Sequence, residues 1–295
     1  MPTPSPALRA RYGAAAPAIA LDASPVLDAL LAHRSVRHFL PDALPPQTLE
    51  RLVAAAQSAP SSSNLQTWSV VAVQSPESRA RLADLTGPQP HLRTAPLVLA
   101  WLADLSRIAR IAERSGSQAA GLDYLDTFLM AVIDAALAAQ NAVLAAQSLG
   151  LGTVYVGALR NQPEQVAQVL GTPAHVFPVF GLVVGHPDPA RPAFVKPRLP
   201  QSAVLHRERY QAPADAAAET GGYDAELRRF QADQGLPAID WSQQVIDRLR
   251  GPADLKGRHR LFEALLGAGF RFDDAQPVQG TSTTSVSSFP TRSPA

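Results

Sequence analysis

The stretch Phe128 to Leu149, FLMAVIDAALAAQNAVLAAQSL, is the most apolar in the chain, and its length would suit a membrane span. Four residues argue otherwise. Asp134, Gln140, Asn141 and Gln147 lie inside it, and polar side chains at that density are costly in lipid. The stretch is therefore expected to be a buried helix from about Tyr124 to Leu149, stopped by Gly150 at the C′ position. Apolar on most faces, it belongs at the centre of the molecule or in a contact between subunits.

The flanking sequence supplies the other layers. Ser24-Pro25 followed by Val26, Leu27, Leu30 and Leu31 predicts an N-capped helix that ends near His33. A second helix is expected over Gln47 to Ser58, with Leu49, Leu52, Val53 and Ala56 on one face and Pro60 with a run of serines to stop it. Trp68 to Val73 and Pro96 to Ala103 are short and rich in Val and Leu, and read as buried strands with a helix, Pro76 to Leu85, between them. Thr153 to Val156 and Val176 to Val184 are further strands, joined by a helix that begins at Pro163. After Pro200 the composition turns polar, with three modest helices expected: Tyr223 to Asp233, Trp241 to Arg250 and Leu255 to Leu266. Strands and helices mix without βαβ alternation. This predicts an α+β domain with a mostly antiparallel central sheet flanked by helices and a C-terminal helical excursion.

The chain has 295 residues, 46% of them hydrophobic, enough for a substantial core. No polar linker divides its middle, so one domain is expected over residues 24–272. Residues 1–23 are expected as a flexible extension, and 273–295, rich in Ser, Thr and Pro, as a disordered tail. Pro17 interrupts the small apolar tract Gly13 to Leu21 and no cleavage pattern follows, so a cytoplasmic protein is expected.

A formal net charge of +1 gives no reason to expect a nucleic-acid partner. The absence of cysteine excludes disulfides, thiolate nucleophiles, iron–sulfur clusters and sulfur-ligated zinc, so any redox chemistry must come from a cofactor. The seven histidines are scattered without metal-ligand spacing, and no metal site is expected. Neither a G-x-G-x-x-G nor a Walker lysine loop is present, nor H-E-x-x-H or G-x-S-x-G, which disfavours Rossmann, P-loop, zincin and hydrolase chemistry.

Three clusters carry chemistry. His33-Arg34-Ser35-Val36-Arg37 gathers guanidinium, hydroxyl and imidazole donors suited to phosphate, although basic residues at a helix end also complement its dipole. Ser61-Ser62-Ser63-Asn64-Leu65-Gln66 offers neutral donors that suit the edge of a heterocycle or an ordinary surface loop. Lys196-Pro197-Arg198-Leu199-Pro200 holds two cations apart on a stiff loop, as an anion site or a solvated turn would.

Taken with their order, these clusters resemble the nitroreductase superfamily, most closely its NADPH-dependent, oxygen-insensitive nitroreductase and flavin reductase branch. The resemblance runs from His33 to Phe272. It includes Leu85-Thr86-Gly87-Pro88-Gln89, Ala139-Gln140-Asn141-Ala142, Ser148-Leu149-Gly150-Leu151-Gly152, Tyr155-Val156-Gly157-Ala158-Leu159-Arg160-Asn161 and Phe180-Gly181-Leu182. It implies FMN at the interface of a homodimer. His33, Arg34, Ser35 and Arg198 are then expected at the phosphate and ribityl end, and Arg37, Gln89 and Lys196 at the pyrimidine edge. Ser62, Ser63, Asn64 and Gln66 would lie near the ring, with Tyr155, Val156 and Gly157 along its other side. The resemblance also implies ping-pong hydride transfer from NADPH or NADH through flavin N5 to a small-molecule acceptor such as a nitroaromatic, a quinone or a flavin, with no side chain required as a catalytic acid or base. The branch carries arginines for the NADPH 2′-phosphate after Tyr223, but here the comparable stretch Gln231-Ala232-Asp233-Gln234-Gly235-Leu236-Pro237 has none, leaving Arg258 and Lys256 for that role. The same features would also serve a flavin-binding protein without turnover, or dehalogenation, ene reduction or flavin fragmentation on the same scaffold.

Overall fold

Four strands, β1 (Trp68–Val73), β2 (Leu97–Asp104), β3 (Gly152–Val156) and β4 (Val176–Gly185), form one sheet in the order β1-β2-β4-β3, every pair antiparallel. These strands come from a computed structural model of the chain, which describes residues 3–211 and 216–273. The expected tail, from 274 onward, lies outside the described residues.

β2 is buried along its whole length, and strand alternation sends its side chains into two cores. Leu97, Leu99 and Trp101 pack with α3 (Thr48–Gln57) and α7 (Leu125–Ser148) on one face. Val98 and Ala100 share the other with Leu82 and Ala83 of α4 (Pro76–Thr86), Leu92 of α5 (His91–Thr94) and Val166 of α8 (Pro163–Leu170). A third cluster joins Phe177 and Val179 to Ala264 and Leu265 of α11 (Leu261–Gly267), Phe270 and Phe272. The expected α+β architecture and its antiparallel sheet are what the chain adopts.

α7 is long and apolar enough to cross a membrane, but one face, Ala131 to Ala146, is spent on the core. Each polar residue that marked it as a core helix has a partner. Asp134, 1% exposed, accepts from Ser61 Oγ at 2.6 Å, Ser62 N at 3.1 Å, and Thr67 N and Oγ1 at 3.2 and 3.0 Å. Asn141 donates to the Ala55 carbonyl at 3.2 Å, and Gln140 accepts from Tyr155 Oη at 3.4 Å. The Gln147 amide lies 2.7 Å from His33 Nδ1. The opposite face of α7 leaves Leu125, Leu129, Ile133 and Leu137, four residues apart, 40–56% exposed.

A pair of glycines fixes how the segment before α3 meets the sheet. Gly152 and Gly185 face each other across β3 and β4. A Cβ on Gly152 would lie 2.8 Å from Val36 Cβ, and one on Gly185 would lie 2.9 Å from both Phe39 Cδ1 and Pro96 Cδ. With hydrogen there instead, Ser35 bridges Thr153 in parallel, Val36 N donates to Thr153 O at 2.9 Å, and Phe39 bridges Pro187.

Three expectations change. Residues 6–15 are not a loose extension: α1 (Pro6–Tyr12) is capped by Ser5 and continues into a 3-10 turn, Gly13–Ala15, because Leu8 and Arg11 find buried sites. α2 (Pro25–Leu31) follows, capped by Ser24 as expected. The expected helix Leu255 to Leu266 is broken into 3-10 turns Pro252–Leu255 and Arg258–Arg260 and then α11, since Lys256 and Gly257 take positive φ of 53° and 90°. α6 (Ser106–Ser115) is a helix the sequence reading did not include; Ile108, Ala109 and Ala112 lie on its inner face, and of these Ala112 is buried. The C-terminal excursion comprises α9 (Ala216–Asp233) and α10 (Trp241–Leu249) as well as α11.

Two predictions follow from the buried polar groups. Asp134→Ala strands four donors, so it should lower unfolding stability by roughly 2–4 kcal/mol and open residues 61–66 to subtilisin, with cleavage mapped by mass spectrometry. An unchanged denaturation midpoint with no new cleavage would show that the carboxylate does not hold the loop. His91 is 4% exposed with Nε2 unpartnered; burial and the charges of Arg37 and His38 push its imidazole down to about 4. As pH falls from about 6.5 to about 4 the unfolded chain takes up the proton first, so stability should fall by on the order of 3 kcal/mol across that window. In His91→Leu that slope should be largely absent; an equal slope in both proteins would assign it to other groups.

Candidate functional site

The segment His33 to Arg37 rides on the edge of β3, and burial of Val36 in the core turns Ser35 and Arg37 outward. There they line a cavity of about 360 Å³ together with His33, Arg34, Lys196 and Arg198, a volume within the range of small-molecule sites. Arg11, His38, Arg191 and Gln234 add to the polar wall, and Phe194, Phe230 and Leu236 are among its apolar lining. Among the described residues no carboxylate lines this cavity. Arg191 pairs with Asp188 at 2.9 Å, whereas among the described residues Arg11, Arg34, Arg37, Lys196 and Arg198 make no ion pair.

The loop that carries Lys196 and Arg198 is held from two sides. Tyr223 of α9 donates to the Pro197 carbonyl at 2.9 Å, and the Arg198 guanidinium turns back to the carbonyls of Pro197 and Lys196 at 3.1 and 3.3 Å. Concentrated positive charge leaves its mark on titration. Desolvation first, then the charges of Arg37 and Arg198, push the Lys196 ammonium below its ordinary value. Burial, then Arg11 and Arg198, push the His33 imidazole down as well, and with Gln147 donating to Nδ1 the neutral ring keeps its proton on Nε2.

The remaining expected residues lie elsewhere. Ser62, Ser63, Asn64 and Gln66 are exposed on the loop tied to Asp134, outside the cationic cavity. Ser63, Asn64 and Gln66 take positive φ of 48°, 54° and 52°, a conformation held by the buried bonds beneath, while Ser62 Oγ contacts Met130 Sδ at 3.3 Å. Gln89 lines a separate depression beside Gly87 and Pro88, in a turn close enough to Arg37 for that charge to act on His91. Tyr155 stands half-exposed against Phe180, ring centroids 5.2 Å apart at 84°, and burial raises its phenol. Val156 gives its side chain to the core, so only its main chain is available to a ligand.

Arg258 stands beside Gly157. A Cβ on Gly257 would lie 2.4 Å from the Asn161 carbonyl oxygen; glycine at that point lets the 3-10 turn close on the segment that follows β3, and Arg258 Nε donates to Asn161 Oδ1 at 2.9 Å. Burial, then Arg160 and Arg248, lower the Arg258 guanidinium. Arg160 and Arg248 themselves donate to the carbonyls of Val179 and Asp254. Lys256 is exposed at the preceding turn. Arginines inside α9 are already engaged, Arg228 with Asp240 and Arg229 with Glu226, and the stretch after them contributes only Gln234 and Leu236 to the cavity wall. Arg11 and Arg191 were missed as cavity residues; the first sits in a segment whose Ala- and Pro-rich composition carries no docking signal.

Comparison with known proteins identifies the family. Residues 30–186 match the model of the nitroreductase family, and residues 196–273 that of the nitroreductase family C-terminal domain. The FMN reductase (NADPH) of Bacillus subtilis strain 168 is 37% identical over 228 residues, 76% of this chain and 91% of that protein. The oxygen-insensitive NADPH nitroreductase of Salmonella typhimurium is 38% identical over 212 residues, 72% of this chain and 85% of that protein. Among solved structures, the NADPH:FMN oxidoreductase of Vibrio harveyi complexed with NAD+ superposes with a TM-score of 0.74 at 32% identity, covering 84% of this chain and 99% of that one. The sheet, the cationic cavity and these matches together place the chain in the nitroreductase family.

Proposed function

We propose that this chain is a soluble, cytoplasmic, FMN-dependent NAD(P)H oxidoreductase that works as a homodimer and reduces nitroaromatics, quinones or flavins by a ping-pong sequence. The observation that carries this reading is the cavity of cations that make no ion pair among the described residues, Arg34 and Arg37 against Lys196 and Arg198, in a chain whose relatives include proteins named FMN reductase and NADPH nitroreductase. The donor set fits FMN on its own chemistry. Guanidinium groups without counter-ions suit a phosphate dianion, and the neutral hydroxyls and amides of residues 62–66 suit the edge of a heterocycle.

In this reading His33, Arg34, Ser35 and Arg198 hold the phosphate and ribityl chain, and Arg37, Lys196 and Gln89 hold the pyrimidine edge. Ser62, Ser63, Asn64 and Gln66 lie near the ring, and Tyr155, Val156 and Gly157 along its other side. FMN bound there would supply two-electron redox chemistry at its N5, with these residues holding and orienting it. Lys196 and Arg37 supply positive charge at the edge where negative charge gathers on reduction. No side chain is assigned a covalent or acid–base step. Arg258 and Lys256 are the candidates to meet the coenzyme phosphates, Arg258 standing at Gly157 with Arg160 and Arg248 behind it.

The dimer is supported by the uncovered stripe Leu125, Leu129, Ile133 and Leu137 on α7. Ser62 and Met130 adjoin that stripe. A second copy seated on it would cover the apolar face and add its own loop to the site, which explains why residues 62–66 stand apart from the cationic cavity within one chain. The lack of arginine over residues 231–237 favours a second reading, a flavin binder without turnover.

One experiment separates the two readings. Purified protein should be yellow, carry FMN, and bleach within seconds of anaerobic mixing with NADPH; Arg258→Ala should slow bleaching by NADPH more than by NADH. A flavin reduced only by dithionite supports the binder, and a colourless protein that takes up no FMN ends both. Arg34→Ala and Arg198→Ala should each weaken FMN binding by roughly 1.5–3 kcal/mol, about 10- to 150-fold in Kd, by removing charge-assisted bonds. Equilibrium dialysis against FMN measures this, and unchanged retention in both variants would refute the assignment of the phosphate end.

A further inference from the structure

The family match begins at residue 30, and α1 lies ahead of it, yet Arg11 of α1 enters the cationic cavity. We propose that Arg11 is a positioning residue of the anion site: it straps the two phosphate-binding segments together and adds a buried positive charge behind them. The proposal rests on the reading of that cavity as the FMN phosphate site.

The geometry is that of a two-way strap. Leu8 and Arg11, one helical turn apart, are the buried residues of α1, at 2% and 7% exposure. From that face the Arg11 guanidinium donates to the Lys196 carbonyl at 2.9 Å through Nη1, and to the carbonyls of Leu31 and His33, each at 2.8 Å, through Nη2. In the return direction Arg198 N donates to the Arg11 carbonyl at 2.8 Å. One planar group thus spans the end of α2, which leads into His33 and Arg34, and the loop of Lys196 and Arg198. A guanidinium has the fork of donors to do this; a lysine ammonium, a compact point charge, does not match it.

A second anchor keeps the segment in place. Ala14 N donates to Glu226 Oε1 of α9 at 2.9 Å, and Gly13, at φ 56°, leaves no Cβ to collide with that carboxylate. All three acceptors of the Arg11 side chain are neutral carbonyls, and no carboxylate pairs with it among the described residues. Its charge therefore adds to those of Arg34 and Arg198 and is left for an incoming anion to satisfy. A residue acting this way discriminates for the phosphate of a flavin, not for its ring.

The test compares FMN with riboflavin, which lacks the phosphate, by quenching of flavin fluorescence on apoprotein at several salt concentrations. Arg11→Met should weaken FMN by about tenfold or more while riboflavin changes by less than about threefold, and should flatten the salt dependence of FMN binding. Competition of FMN binding by inorganic phosphate should weaken in parallel. Arg11→Lys, which keeps the charge and loses the fork, should fall between wild type and Arg11→Met, and serves as the measurement if Arg11→Met does not fold. Equal losses for FMN and riboflavin, or no loss for either, would overturn the proposal. Failure of wild type to bind either flavin would overturn the cofactor reading itself, an outcome that requires no Arg11 variant.

Discussion

Cations brought from distant parts of the chain into one unneutralised cavity are the constraint on which the site depends. Arg11, Arg34, Arg37, Lys196 and Arg198 repel one another, and the repulsion grows as water is excluded. Nothing local would hold them there. Each is fixed by interactions of another kind: Val36 buried in the core, Ser35 bridged to β3, Pro197 bonded to Tyr223, Arg11 spread over three carbonyls. The fold holds this electrostatic tension, which an anion entering the cavity would relieve.

The supporting structure works through absence as much as contact. Gly152 and Gly185 leave room at one end of β3 and β4 for Val36 and Phe39, and Gly257 leaves room near the other end of β3 for the turn of Arg258. A methyl group at any of these would displace a segment that carries charge. Across the sheet, Asp134 sits within the apolar face of α7 and converts a flexible run of serines into a defined loop. Gln147, on the same helix, fixes the ring of His33. One helix thus fixes two separate segments, the loop of residues 61–67 and the ring of His33.

Much of this was legible. Asp134, Gln140, Asn141 and Gln147 marked α7 as a core helix because polar groups in an apolar run need partners, and each has one. Short runs of Val and Leu identified β1 to β4, but β1, expected as a buried strand, lies at the sheet edge and is only half-buried apart from Val73. Composition and spacing left the basic and serine clusters open to ordinary readings; only their order along the chain, as a resemblance, joined them. Arg11 was illegible because its partners are backbone carbonyls, which have no signature in sequence. The break at Lys256 and Gly257 was missed for a related reason: the close approach of Asn161 that demands glycine is a tertiary fact. That Ser62 to Gln66 and Lys196 occupy separate regions of one chain is likewise a matter of chain path.

The contact from Arg11 to Lys196 closes a loop of 185 residues, nearly two thirds of the polypeptide. At about 5–20 residues per second, a ribosome needs roughly 10–40 seconds to make the second partner after the first. Throughout that interval α1 has nowhere to dock, because the carbonyls of Leu31 and His33 provide only part of its seat. Although α1 precedes the other described helices in sequence, its bonds to Lys196 and Arg198 can form only once those residues have been made, and the cavity gains their two charges only then.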